Sequence, residues 1–139
     1  MRKIVKPLIF VAIIGCVVYS CGKKIVNNAI IDHVRDECFW EVADDISIGG
    51  LFYACCSDGK WEFKPSKTKA TRWGAVTYTG KLNGKPLKVM FSLYLISGDF
   101  RYTLDGFSFN GEVFSRSKNP DKVEAFPYAM YAEYLKRID

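Results

Sequence analysis

Five cysteines and one histidine are the residues of this chain that could act as nucleophiles or bind a metal. They are Cys16, Cys21, Cys38, Cys55, Cys56 and His33. Nucleophilic catalysis with a histidine base needs that histidine to be oriented by a third group. Asp32 precedes His33 and Glu37 follows four positions later, a pattern that predicts a solvent-facing histidine paired weakly with Glu37. No Cys-x-x-Cys pair occurs, so the sequence predicts neither a metal site nor a catalytic cysteine.

Two pairs of adjacent carboxylates, Asp36-Glu37 and Asp44-Asp45, are the other candidates for chemistry. An acid and a base that act together must face a shared cleft, whereas neighbouring side chains on a helix diverge. Solvation or capping of helix ends explains both pairs. The sequence also has no glycine-rich phosphate loop. We therefore predict a protein without enzymatic activity or cofactor.

The N-terminus has the pattern of a targeting segment. A cationic start, Met1–Lys6, is followed by the uncharged apolar run Leu8–Tyr19. A run of about a dozen residues matches a signal peptide and falls short of the ~20 residues of a transmembrane helix. Residues 1–20 are therefore predicted to be a removed signal peptide. An uncleaved single-pass anchor through residues 4–21 is the alternative.

The segment Val18-Tyr19-Ser20-Cys21-Gly22 resembles the lipobox of bacterial lipoprotein precursors. The resemblance implies that the Cys21 sulfur is diacylglycerated, that cleavage follows Ser20, and that the new amine is acylated with a fatty acid such as palmitate. Residues 21–24 would then be a short tether to a membrane of the bacterial cell envelope. Ile13-Ile14-Gly15-Cys16 is a second possible lipobox, with Cys16 as the modified residue. Two or three acyl chains give durable attachment.

The net charge gives no argument for a nucleic-acid partner. Arg2, Lys3 and Lys6 lie in the segment predicted to be removed. Without them the 20 basic residues fall to 17 against 15 acidic ones, a net charge of +2. A nearly balanced domain does not attract an anionic polymer through its overall charge.

Export would place the domain in an oxidising space, where cysteines form disulfides. Adjacent cysteines bridge each other only through a strained ring. We therefore predict a disulfide from Cys38 to Cys55 or Cys56. Cys55 is preferred, because strand alternation would turn the two sulfurs to opposite faces.

The domain, residues 25–139, is predicted to begin with an amphipathic helix. Its apolar residues recur at helical spacing from Lys24 to about Ala43. They are Ile25, Ala29, Ile30, Val34 and Cys38. The apolar run Leu51–Cys56 is predicted to be a strand or a buried loop.

Asn83-Gly84 predicts a two-residue hairpin turn that pairs Leu82 with Lys85. Gly98-Asp99 predicts a second turn, which would pair Leu93 with Leu104. Asn110-Gly111 predicts a third turn, and a β-bulge at Asp105-Gly106 keeps the apolar side chains on one face. The predicted inner face is Val76, Tyr78, Leu87, Val89, Phe91, Leu93, Leu95, Tyr102 and Leu104. Trp61 and Phe63 indicate an earlier strand.

The tail is predicted to be helical from Asn119-Pro120. Pro127 fits the first turn of its main segment, and Met130, Tyr134 and Ile138 form one apolar stripe. The fold class is therefore α+β: an N-terminal helix packed on a twisted, bulged antiparallel meander of four or five strands, plus a C-terminal helix. This architecture resembles the cystatin-like and nuclear-transport-factor-like folds.

A basic stretch with interleaved aromatic residues follows Cys55 and Cys56. Its basic residues are Lys60, Lys64, Lys67, Lys69 and Arg72, and its aromatic residues are Trp61, Phe63 and Trp73. Such a stretch could contact an anionic glycan or phospholipid surface. The alternative is a strand with inward aromatic side chains followed by a solvated loop.

Three functions are compatible with these patterns. The first is a non-enzymatic envelope lipoprotein, tethered to the membrane, that binds an envelope protein partner. The second is an inhibitor or immunity-type protein that blocks an envelope enzyme with the loop Pro65–Thr71. The third is a small-ligand binder that uses the concave face of the sheet.

Overall fold

The computed structural model describes residues 23–39, 41–66 and 72–138. Within these residues two helices come first, five strands follow, and one helix comes last. They are α1 (Lys23–Arg35), α2 (Ile48–Cys55), β1 (Cys56–Pro65), β2 (Arg72–Leu82), β3 (Lys85–Ile96), β4 (Asp99–Phe109), β5 (Glu112–Ser115) and α3 (Pro120–Ile138). The strands form one antiparallel sheet in the order β1-β2-β3-β4-β5. The predicted α+β class is confirmed, with five strands, and Trp61 and Phe63 lie on the earlier strand β1 as predicted.

The hairpin between β2 and β3 has the predicted register. Leu82 pairs with Lys85, Tyr78 with Val89 and Val76 with Phe91. Asn83 and Gly84 have φ angles of 53° and 78°, the pair of positive values that a type I′ turn requires. The Asn-Gly turn therefore sets one register from Leu82 and Lys85 as far as Gly74 and Leu93, beyond which the register shifts and Arg72 pairs with Tyr94.

The turn between β3 and β4 lies one residue earlier than predicted. Ser97 and Gly98 are its central residues, with φ angles of 53° and 77°. Leu93 consequently pairs with Tyr102, two residues before the predicted Leu104. Because the difference is two residues, the same side chains still face inward.

The predicted bulge is confirmed at Asp105. Phe91 pairs with Leu104 while Met90 pairs with Gly106, so Asp105 is the extra residue of β4. The bulge switches the inward positions from even to odd numbers and brings Phe107 to the core side. Asn110 and Gly111 form the third turn, with φ angles of 53° and 89°.

One face of the sheet forms the core together with the three helices of the described residues. Phe52 of α2 is fully buried, and its ring centroid lies 4.7 Å from that of Tyr78 and 6.3 Å from that of Phe126 on α3. The inner-face prediction is confirmed for its buried members Val76, Tyr78, Leu87, Val89, Phe91, Leu93 and Leu104. Leu95 and Tyr102 are partly buried against the same core.

The first helix is shorter than predicted, ending at Arg35 instead of near Ala43. After the helix the chain turns back, and the Ile48 amide donates to the Glu37 carbonyl over 2.7 Å. This bond brings the start of α2 against the end of α1. A Cβ added at Gly49 would lie 3.0 Å from the Cβ of Arg35, so the glycine permits this close approach.

The prediction of a strand or buried loop at Leu51–Cys56 is wrong, because residues 51–55 belong to α2. Ser47 caps this helix, and its hydroxyl accepts from the Gly50 amide at 3.0 Å. Capping satisfies an amide that would otherwise lack a partner, and three buried residues, Ile48, Leu51 and Phe52, hold the helix on the sheet.

The C-terminal helix begins at Pro120, as predicted, but Pro127 lies inside it instead of in a first turn. Proline lacks the amide that would bond the Val123 carbonyl, so packing must stabilise the helix there. Val123, Phe126, Pro127 and Met130 are buried. The predicted stripe is wrong at Ile138, which is 59% exposed.

Candidate binding cleft at the edge of the sheet

An open cleft of about 640 Å³ lies where the loop after α1, strand β4 and the first half of α3 meet. It is lined by Phe39, Glu41, Val42, Tyr102, Thr103, Leu104, Arg116, Val123, Glu124, Pro127 and Tyr128. Aromatic and aliphatic groups line the walls, and one arginine and two glutamates supply the charges. This mixture is typical of binding sites for organic ligands or peptides.

The cleft exists because β5 is much shorter than β4. The four residues of β5 pair with residues 106–109, so in the described structure no strand lies on that side of residues 99–105. The chain leaves the sheet after Ser115, whose carbonyl accepts from the Asn119 amide at 2.6 Å. This tight turn leads directly into α3.

The cleft faces the edge of β4 and not one of its faces. Tyr102, Thr103 and Leu104 are consecutive residues, and all three line the cleft. Successive side chains of a strand point to opposite faces, so a cavity that contacts all three must run along the strand edge. The backbone of β4 is therefore part of the cleft wall.

Arg116 closes one end of the cleft. Its Nε donates to the Leu104 carbonyl at 2.9 Å, and its backbone amide donates to the Asp105 carbonyl at 2.8 Å. Its Nη1 lies 3.7 Å from the Glu124 carboxylate of α3. Arg116 thus connects β4 to α3 through both main-chain and side-chain contacts.

Tyr102 fixes the opposite wall. Its hydroxyl donates to the Cys38 carbonyl at 2.7 Å, which ties β4 to the loop after α1. Burial, with smaller contributions from Glu37 and Cys38, raises the pKa of Tyr102 above its ordinary value. The phenol stays protonated at neutral pH and acts as a hydrogen-bond donor.

His33 does not occupy the solvent-facing position that the sequence predicts. It is 7% exposed and lies within α1, whereas Glu37 lies beyond the end of that helix.

Asp45, from the second carboxylate pair, accepts a hydrogen bond from the Tyr131 hydroxyl at 3.2 Å and connects the loop after α1 to α3. Within residues 23–39, 41–66 and 72–138, no group of three or more potential metal ligands comes together.

The structure places no bond between Cys38 and either Cys55 or Cys56, so the predicted disulfide stays a prediction. The Cys38 sulfur lies 3.9 Å from the Asp44 carbonyl oxygen, while the Cys55 sulfur contacts the Met130 carbonyl oxygen at 3.7 Å. Because residues 51–55 form a helix, Cys55 faces α3 instead of the loop. Burial raises its pKa to about 11. Cys16 and Cys21 lie outside the described residues.

The basic stretch divides between the two faces of β1. Trp61 and Phe63 point into the core, as the alternative of a strand with inward aromatic side chains predicted, whereas Lys60 and Lys64 are exposed on the outer face. Lys67 and Lys69 lie outside the described residues, and of Arg72 only the backbone is described. The aromatic rings of β1 are thus unavailable to a ligand that contacts its lysines.

The concave face of the sheet offers little room for a ligand. Of its predicted residues, Tyr102 and Leu104 reach the cleft, and the others named as buried pack against the helices. Sequence reasoning did not identify Arg116 or Glu124. Their signal was indirect: the Asn110-Gly111 turn and the nearby Pro120 leave room for only a short β5.

In the described part of the chain, no helix combines the length and apolarity needed to cross a membrane. The chain matches no protein-family model, and neither a curated protein nor a solved structure is detectably similar to it. Functional inference therefore depends on its own residues and geometry.

Proposed function

We propose that this protein is a non-enzymatic binding protein of the bacterial cell envelope, tethered through a lipid on Cys21. Its cleft receives a segment of a partner protein. The observation that carries this proposal is the open cleft, in which an exposed strand edge, aromatic walls and charged groups lie together. The tether is supported by the lipobox-like segment Val18-Tyr19-Ser20-Cys21.

The shape of the cleft favours a polymer segment over an enclosed small molecule. The site is open, and one of its wall residues, Tyr128, is 56% exposed. Specific protein partners are recognised by aromatic anchors together with a polar rim. Tyr128 and Phe39 supply aromatic surface, and Glu41 and Arg116 supply polar groups.

Helix α1 places the cleft at a distance from the proposed lipid anchor, so that a partner protein can reach the cleft. Helix α1 begins two residues after Cys21 and leads at its other end into the loop that carries Phe39 and Glu41. A helix of 13 residues spans about 20 Å. The tether and the cleft are therefore separated by the length of this helix, which leaves the cleft available to a partner.

Metabolic labelling with radioactive palmitate tests the tether. The full chain should incorporate label, and Cys21→Ala should abolish both the labelling and the cleavage of the precursor. Cys16→Ala is the matched control and should keep both. Unchanged labelling of the Cys21→Ala variant would refute attachment at this residue.

Site-specific photocrosslinking in cells tests the cleft. A photoreactive amino acid at position 128 lies in the cleft, and one at position 53, which is 88% exposed on α2, is the control. We expect a discrete protein adduct from position 128 and none of that size from position 53. Equal adducts at both positions, or none at either, would contradict binding in the cleft.

A further inference from the structure

The hydrogen-bond pattern of β4 shows which backbone groups face the cleft. Ile96 and Asp99 close a two-residue hairpin, so they exchange both hydrogen bonds. Such pairs recur at every second residue, so Arg101 and Thr103 also bond to β3. Tyr102 lies between Arg101 and Thr103, so its amide and carbonyl point away from β3 and toward the cleft.

Arg116 already uses part of this edge. The Leu104 carbonyl accepts from Arg116 Nε at 2.9 Å, the position where the amide of a neighbouring strand would donate. On the far side of Arg116, residues 106–109 of β4 pair with the backbone of β5. The cleft is thus the direct continuation of the β5 position along β4.

Proteins usually cover or interrupt such an edge, because unpaired backbone groups invite another strand. Here the loop residues Phe39 and Val42 and the helix residues Pro127 and Tyr128 flank the edge and leave the cleft of about 640 Å³ open. An uncovered edge inside a groove fits an extended peptide, whose amides and carbonyls match those of the strand. A lipid tail or a helix offers no such match.

The charges of the cleft favour a basic peptide. Arg116 is paired with Glu124, whereas Glu41 is exposed, which leaves the cleft with one net negative charge. Apolar peptide side chains would contact Phe39 or Tyr128, and a lysine or arginine would face Glu41.

We propose that a partner protein binds as an added β-strand along residues 101–104 of β4, collinear with β5, with a basic side chain beside Glu41. This inference rests on the proposed function, since it specifies how the cleft holds its partner. It makes the main chain of Tyr102 the central contact and the walls of the cleft the source of side-chain preference.

The test uses the full chain in detergent micelles and peptides selected on it from a short random peptide library. Selected peptides should carry a basic residue. A bound peptide should slow hydrogen exchange of the Tyr102 amide by about tenfold or more, and should leave the amides of Arg101 and Thr103, already bonded to β3, unchanged. N-methylation of the peptide nitrogens that face β4 should weaken binding by about tenfold, whereas methylation of the alternate nitrogens should not.

A matched pair of charge variants completes the experiment. Glu41→Gln should weaken binding of the basic peptide by about threefold, and Glu62→Gln, at an exposed position on β1, should leave it unchanged. A peptide that responds to Glu41→Gln without protecting Tyr102 would overturn strand addition and leave the cleft as a binding site. If no peptide binds, both the strand addition and the proposed function are refuted.

Discussion

Arg116 donates a hydrogen bond from its Nε to the Leu104 carbonyl oxygen across 2.9 Å, at the point where β5 ends and β4 continues. This single contact caps an acceptor on an exposed strand edge and sets the end of the cleft. The adjacent ion pair to Glu124 is half exposed, so it contributes little on its own.

Arg116→Ala should lower the free energy of unfolding by about 1 kcal/mol, because the Leu104 carbonyl loses its donor. Urea denaturation followed by circular dichroism measures this change. Arg101→Ala is the control: its ion pair with Asp99 is long at 3.9 Å and exposed, so the change should stay within about 0.5 kcal/mol. Equal effects of the two substitutions would contradict a capping role for Arg116.

Phe52→Ala should destabilise the protein by about 3–5 kcal/mol, because it removes a fully buried ring at the centre of the aromatic core. The neighbouring Tyr53 is 88% exposed, so Tyr53→Ala should change stability by less than about 0.5 kcal/mol. Should Phe52→Ala fail to fold, Phe52→Leu gives a smaller measurable loss. Similar unfolding midpoints for substitutions at 52 and 53 would disprove the orientation of α2.

Thiol titration tests the state of the domain cysteines. A full-length variant with Cys16→Ala and Cys21→Ala, denatured without reductant, should show the three thiols of Cys38, Cys55 and Cys56. In the native protein Cys55 should react most slowly, because it is 2% exposed and its pKa is raised to about 11. A count of one thiol would instead show that Cys38 bridges one of the adjacent cysteines.

Stability should fall as the pH rises above about 9. Burial raises the pKa of Cys55 from 9.0 to about 11 and raises that of Tyr78 and Tyr102 above their ordinary value of 10.0. The folded chain holds these protons where the unfolded chain has released them, so the stabilisation is complete below pH 9 and is lost as the pH rises through the folded pKa values.

Urea midpoints measured at neutral pH and above pH 10 check this dependence. Cys55→Ala should reduce the alkaline loss of stability, because it removes one of the buried groups that hold a proton in the folded chain. A stability that is constant or rises over this range would contradict the burial of these groups.

The sheet was predictable from the sequence because its rules are local. Asn83-Gly84 favours a type I′ turn on its own, and alternation then determines which residues face inward. The bulge at Asp105 followed from the change of parity between Leu104 and Phe107. Even the misplaced turn at Ser97-Gly98 left the inner face intact, since it moved the register by two residues.

The helices and the cleft depended on contacts that the sequence does not display. Leu51–Cys56 is apolar enough for a strand or a helix, and burial against the sheet together with the Ser47 cap decides for the helix. The same choice turns Cys55 toward Met130 and away from Cys38. Neither the apolar pattern nor the spacing of the cysteines contains that information.

The sequence by itself determined the strands, their order along the chain and the face that they bury, because turn conformation and side-chain alternation act between near neighbours. Tertiary structure alone decided where α1 ends and which side chains of α2 face the core. It also decided that Phe39, Leu104 and Tyr128 surround one cleft. Those outcomes depend on which buried surfaces fit together across the chain, and close packing is a property of the whole fold.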